Sequence, residues 1–299
     1  MHKKFRNVND AFSGLVRHFH MANTYGGQFN SVYLNTPFAK NASRNGSVLV
    51  IEEPVTVTYK KPCERVLFNS ARDASPFFHL YESLWMLAGR NDVEPLKYYA
   101  AQIGEYSDDG QTLNGAYGYR WRHPGVFGPG RIDQLQVLIE HLKSKPESRR
   151  AVLQMWNVED DLLKLDTSKD VCCNLSVCFS VRREENPDPD AGQLSPSYFR
   201  FLDMTVFNRS NDLVWGMLGA NVVHFSVLQE YVAAQLGVEV GVYNQVSNNL
   251  HVYDWNWKPE EWLKEYDSSE TSTERWYTDD ATRGIHLVHD PKIFDDELP

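Results

Sequence analysis

Strand-like and helix-like runs follow one another in this chain without regular alternation, and that order constrains the fold more than any other feature. VTVTY (55–59) alternates Val and Thr as a half-buried strand does. SPFFHLYESLWMLAG reads as a helix that Ser75 can cap, Pro76 can open and Gly89 can stop. Further helices are expected over IDQLQVLIEHL (132–142) and over 8–23, where Phe12, Leu15, Val16 and Phe19 recur at helical spacing. Strand-like runs at 150–156, 173–182 and 198–207 come next, with the Pro-rich, acidic loop EENPDPDAGQLSPS before the last of them. NVVHFSVLQEYVAAQLG reads as a buried helix ending at Gly237, and a strand pair is expected over 238–247. A strict strand–helix alternation would predict a doubly wound sheet. This order predicts α+β.

Composition narrows the function. The 299 residues suffice for a substantial core and include no run of about 18 apolar residues that could span a membrane. The N-terminal MHKKFRNVNDAF has basic residues but no apolar stretch behind them, so no signal peptide is expected. Four cysteines, Cys63, Cys172, Cys173 and Cys178, have neither a disulfide framework nor zinc-binding spacing, which points to a reducing cytoplasm and no metal. A formal charge of −10 argues against a nucleic-acid polymer as partner, though a few arginines can still form a pocket for a small anion.

Four stretches carry polar side chains beside strong structural signals. In SRR, Arg149 and Arg150 precede a strand and point to opposite faces, so one surface cannot easily use both; they read equally as solvated arginines. In VCCNLSVCF, Cys173 is either an inert buried thiol or a nucleophile, and the second role needs cations nearby to lower its pKa. Cys172 points the other way. In FNRSNDLVWG, Arg209, Ser210 and Asp212 form a polar turn that could grip an anion. In GANVVHFSVLQEY and NQVSNNLHVY, Asn221 could be a helix cap, and His251 and Tyr253 could be packed in a sheet.

Taken in order, these marks resemble the thymidylate synthase family, which includes the pyrimidine nucleotide hydroxymethylases. The resemblance runs from about residue 31 to 255, through TPFAKNASRNG (36–46), YESLWMLAG (81–89), NGAYGYRWR (114–122), DQLQVLIEHLKSKPESRRAVLQMWN (133–157), CCN (172–174), NRSND (208–212), GAN (219–221) and LHVY (250–253). It implies one catalytic domain over 1–299, with 1–30 as an N-terminal extension and 266–299 as a divergent, shortened tail. It also implies a mixed β-sheet covered by helices on one face, and a homodimer packed sheet to sheet.

The resemblance implies roles residue by residue. Cys173 is similar to the nucleophile that attacks C6 of the pyrimidine. Arg44, Arg209 and Ser210 would hold the phosphate of a deoxynucleotide monophosphate, with Arg149 and Arg150 reaching the same phosphate from the neighbouring subunit. Glu82 resembles the catalytic carboxylate, Tyr117 the tyrosine that orders water near C5, and Asp212 the pterin-binding acid; Glu82 and Asp212 both border the folate. Asn221 resembles the base reader, and His251 with Tyr253 the pair that bonds the ribose 3′-hydroxyl. The one-carbon donor would be 5,10-methylenetetrahydrofolate. A thiolate on C6 makes C5 nucleophilic, and covalent catalysis divides one hard step into easier ones.

Departures from the pattern bear on the product. An exocyclic methylene on C5 takes hydride to become methyl, or water to become hydroxymethyl, so a synthase must exclude water. Where synthases carry a Trp-rich segment, this chain reads AAQIGEYSDDG, with Ile103 at or beside the position; where they end in an apolar tail, it ends PKIFDDELP. Both favour water. Asn174 replaces a histidine beside the nucleophile, and LVWGMLGA holds one extra residue between Asp212 and Asn221, so the base remains open between uracil and cytosine. The expectation is a dUMP or dCMP hydroxymethylase. Alternatives are a thymidylate synthase proper, a Cys173–His251 hydrolase dyad that would leave the arginines unexplained, and a non-catalytic nucleotide binder.

Overall fold

A computed structural model describes residues 1–25, 38–43, 45–123, 132–186, 196–267, 277 and 286–299. The expected α+β architecture is present as two sheets with helices packed against them. The larger sheet has six strands: β1 (His2–Phe5), β4 (Val55–Tyr59), β9 (Glu239–Ser247), β7 (Tyr198–Asn208), β6 (Asn174–Glu185) and β5 (Val152–Gln154), in that spatial order. It is mixed, since β1 runs parallel to β4 and β7 parallel to β9, while the other neighbours are antiparallel. The smaller sheet orders β2 (Phe38–Ser43), β3 (Gly46–Ile51), β10 (Leu250–Tyr253) and the two-residue β8 (Asn211–Asp212).

Period-two patterning explains the strands. Val55, Val57 and Tyr59 of β4 are buried, as are Leu202, Met204 and Val206 of β7. Helix α6 (Asn221–Leu236) packs across β7 and β9, and every residue from Val222 to Ala233 is buried. Covered on all sides, it needs no polar face. It stops at Gly237, whose φ of 65° lies in the left-handed region where a side chain would be strained. Helix α2 (Pro76–Leu87) has the expected Ser75 cap, whose Oγ accepts from the Phe78 N–H at 3.2 Å. Helix α5 (Gln134–Ser144) begins slightly later than expected, capped by Asp133.

Several boundaries differ from the sequence expectation. Residues 238–247 hold one strand, β9, rather than a pair, because its partners β4 and β7 come from distant parts of the chain. The run at 150–156 shortens to β5, and β6 begins at Asn174, leaving Cys173 in the bend before the strand. It continues to Glu185, into the head of the expected loop; residues 187–195 of that loop lie outside the described residues. The N-terminal segment packs into the core: β1 joins the large sheet, and helix α1 (Val8–Tyr25) buries Phe12, Leu15, Val16 and Phe19 completely, at the helical spacing expected.

The described part of the tail docks on α6. Buried Glu230 pairs with Arg65 and accepts from the Leu287 and Val288 N–H groups, while Tyr231 donates to Asp295 at 2.8 Å. Cys63 and His286 also approach the Glu230 carboxylate, but the Arg65 guanidinium already neutralises it, so the group reads as an ionic clamp. Among the described residues, no helix is long and apolar enough to cross a membrane.

Candidate active site

The turn that holds Cys173 is built around Arg209. The Arg209 N–H donates to the Cys173 carbonyl at 3.0 Å, and its guanidinium donates to the carbonyls of Cys172 and Val171, both at 2.8 Å. These bonds clip the segment before β6 to the turn after β7 and leave Arg209 Nη2 3.6 Å from Cys173 Sγ. A fixed cation beside a partly exposed thiol favours the thiolate. Cys172 faces the core: it is 1% exposed, its Sγ lies 2.9 Å from the Asn174 carbonyl, and burial pushes its thiol well above the usual range. Beneath it the buried Arg120–Asp161 pair anchors the segment, with Asp161 accepting from the Cys172 N–H at 3.2 Å. Of the two adjacent thiols, only Cys173 is placed for chemistry.

Glu82, Ile103, Tyr117, Asp170, Asn221 and His224 line a cavity of about 200 Å³. Tyr117 opens helix α4 (Tyr117–Arg122), and its ring stacks on Phe225 at 6.0 Å. Gly118 lets α4 rest directly on α2, since a Cβ there would fall 1.7 Å from the Met86 carbonyl. That contact brings Tyr117 towards Glu82. Cys173 is close enough to both Tyr117 and Tyr253 to raise the pKa of their hydroxyls, with burial the larger cause in each.

Asp212 caps the stretch that follows it: Oδ1 accepts from the Val214 N–H at 2.8 Å and the Trp215 N–H at 2.5 Å. Oδ2 is buried without a hydrogen-bond partner among the described residues. Burial raises this carboxyl from the usual 3.8 to about 6. The folded protein therefore holds a proton that the unfolded chain releases between those values, and stability falls as pH rises through that window. Asp212→Asn is expected to remove about 2 kcal/mol of this loss. Urea unfolding of both proteins at pH 4 and pH 7 measures it, and an equal pH response in the two would refute the assignment.

His251 and Tyr253 share one face of β10, their rings 5.3 Å apart and nearly perpendicular, with His251 in register beside Asp212. Burial lowers the His251 pKa, and its Nδ1 lies 3.0 Å from Asn249 Oδ1. Ser210 sits in the turn after Arg209, half-buried. Arg44 lies outside the described residues. Arg149 and Arg150 are exposed before β5; Arg150 shares a basic surface pocket with Arg183, Arg200 and Lys145, away from the Glu82 cavity.

Residues 71–274 match the sequence model of the family described as "Thymidylate synthase". The chain belongs to the thymidylate synthase family. It is 50% identical over 212 residues to "Deoxyuridylate hydroxymethyltransferase" of Pseudomonas phage M6, an alignment covering 71% of this chain and 54% of that one. It is 40% identical over 207 residues to the protein of the same name from Bacillus phage SP01, covering 67% and 49%. "Thymidylate synthase" of Corynebacterium aurimucosum is 30% identical over 181 residues, 60% of each chain. The chain thus spans about half the length of the two phage relatives.

The stretch between Asp212 and Asn221, where one extra residue is expected, leaves Asn221 in the cavity wall. Leu213–Ala220 is π-helical, broken at Gly219 (φ −123°, ψ −114°). Sequence reasoning missed His224. It lies one helical turn after Asn221, on the same face, and its Nε2 is 2.8 Å from Glu82 Oε2, though not in line for an N–H bond. His79 stands beside this pair, and burial with the nearby His224 lowers it to about 4, so it is neutral at physiological pH. Asn174 is wholly buried next to Cys173 in the chain, with neither amide atom partnered among the described residues.

Proposed function

We propose that this protein transfers a one-carbon unit to C5 of dUMP and releases 5-hydroxymethyl-dUMP. The carrying observation is the cavity wall: at the position where the synthases' indole is expected, Ile103 shares the cavity with Glu82, Tyr117 and Asn221, while Trp85, also in the wall, is only 2% exposed and its Nε1 donates to the Asp92 carbonyl at 3.1 Å. The names of the two phage relatives support the same substrate and product. Cys173, its thiolate favoured by Arg209, adds to C6 and makes C5 nucleophilic. The co-substrate 5,10-methylenetetrahydrofolate supplies the carbon; the unpartnered Oδ2 of Asp212 suits the N–H groups of a pterin, and Glu82, in the cavity wall beside Asn221, is the second group assigned to the folate. Glu82, with His224 against it, moves protons through water at C5. Loss of the C5 proton and cleavage of the carbon's bond to the folate nitrogen would release tetrahydrofolate and leave an exocyclic methylene. Water adds to it with loss of a proton, electrons return through C5, and the C6–S bond breaks to regenerate the Cys173 thiolate. No redox step is needed. Asn221 reads the base, and His251 with Tyr253 holds the 3′-hydroxyl of a 2′-deoxyribose.

Arg209 and Ser210 are this subunit's share of the phosphate site among the described residues, and the family resemblance adds Arg44 to them. The exposure of Arg149 and Arg150 fits donation to a second subunit in a homodimer packed sheet to sheet, with helices on the opposite face. Mixing inactive Cys173→Ala and inactive Arg149→Ala proteins is expected to restore part of the activity, because one hybrid site then contains both intact groups. No recovery after verified subunit exchange would reject a phosphate site built in trans. The reaction itself is tested by incubating the protein with dUMP and 5,10-methylenetetrahydrofolate and analysing the nucleotide by mass spectrometry. The hydroxymethyl product is expected. Thymidylate would assign the synthase reaction instead, and unmodified dUMP with no exchange of the C5 proton would reject both.

A further inference from the structure

A chain of carboxamides runs from the core to Asn221, and its direction is fixed at the buried end. The Met217 carbonyl can only accept; it does so from Gln245 Nε2 at 3.2 Å and from the Tyr59 hydroxyl at 2.8 Å. With its nitrogen committed there, Gln245 presents Oε1 to Asn211, whose Nδ2 donates to it at 2.9 Å and to Ser247 Oγ at 3.1 Å. Asn211 Oδ1 is thereby left as an acceptor, and Asn221 Nδ2 donates to it at 3.1 Å. Gln245 and Ser247 are 0% exposed and Asn211 3%, so a turned amide would lose its bonds without water to replace them. Gly216 keeps the last link closed: a Cβ there would lie 2.2 Å from Asn211 Oδ1 and 3.1 Å from Asn221 Nδ2.

We propose that this relay makes the enzyme select uracil over cytosine. The inference rests on Asn221 being the base reader of the proposed function. One Asn221 N–H is used by Asn211, so the amide offers the base its oxygen and its other N–H. That edge complements the N3–H donor and O4 acceptor of uracil. Cytosine presents the reverse, an acceptor at N3 and a donor amine at C4, and needs the Asn221 amide turned over. Turning it sets Asn221 Oδ1 against Asn211 Oδ1. Asn211 cannot follow, because Gln245 and Ser247 hold its nitrogen, and Gln245 cannot follow because Met217 has no proton to offer. Asn211 and Gln245 are thus positioning residues acting through Asn221.

The ratio of dCMP to dUMP dissociation constants, measured on the full chain, tests this. The unaltered protein is expected to favour dUMP by roughly ten- to a hundredfold, the cost of one broken buried hydrogen bond. Asn211→Leu frees the Asn221 amide and should bring the ratio to within about threefold of unity. Asn211→Asp can still only accept from Asn221 and should retain most of the preference, which separates the polarity of the relay from mere packing. If Asn211→Leu does not fold, Gly216→Ala carries the test with all three carboxamides of the relay intact, and its ratio should also fall. Equal affinity for both nucleotides in the unaltered protein, or a preference surviving in Asn211→Leu or a folded Gly216→Ala, would overturn the relay. Binding of neither nucleotide would overturn the proposed function itself, and the relay with it.

Discussion

Cys173→Ser is expected to lower turnover by about four orders of magnitude or more, while nucleotide affinity stays within roughly tenfold. A hydroxyl beside Arg209 is far less acidic than a thiol, so the cation that favours the thiolate cannot supply an alkoxide near neutral pH. The phosphate, base and sugar contacts proposed for Arg209, Ser210, Asn221, His251 and Tyr253 do not pass through the sulfur, so binding should survive. The neighbouring thiol supplies the control. Cys172 is buried with a strongly raised pKa, and Cys172→Ala should cost about 1 kcal/mol of stability and leave turnover within several-fold. Single-turnover kinetics and dUMP titration of both variants measure the contrast. An inactive Cys172→Ala protein beside an active Cys173→Ala protein would reverse the assignment of the two thiols.

The features legible in the sequence were those that local chemistry dictates. The Ser75 cap, the Gly237 stop and the Val-Thr alternation of β4 depend on neighbours a few residues apart, and the structure has all three. The opposition of Cys172 and Cys173 was legible for the same reason, although both precede the strand rather than open it. Contacts made only by the fold were not legible. His224 meets Glu82 because α2 and α6 pack together, and no periodicity in either segment announces that pairing. Asn211 looked like part of a polar turn, yet its amide is committed to Gln245 and Ser247 on β9. The strand β1 was not legible because its four residues, HKKF, have no visible alternation of apolar residues; its place in the sheet comes from parallel pairing with β4.

Ile103→Trp is expected to convert part of the product from hydroxymethyl to methyl, and to begin oxidising the folate. The competition is decided at one carbon. Once the exocyclic methylene has formed on C5, water and hydride reach the same atom, and the faster arrival sets the product. Ile103 lines the cavity with Glu82, Tyr117 and His224, the groups that can hold and deprotonate a water there. An indole at this position adds bulk and apolar surface, and displacing a water from a cavity of about 200 Å³ leaves little room for a second route. A shift of about 1.4 kcal/mol in the balance between the two barriers changes the product ratio tenfold. The expected result is a methyl fraction raised by roughly that factor. Two independent signals follow it: thymidylate in the mass spectrum, and the near-ultraviolet absorbance change that accompanies folate oxidation but not hydroxymethyl formation. Both should rise together in the variant and be near zero in the unaltered protein. If turnover persists and both signals stay at zero, Ile103 does not control water at C5, and another wall of the site must. If the unaltered protein already makes thymidylate with matching folate oxidation, hydride outruns water without an indole at this position, and the Ile103 wall cannot be what selects the product.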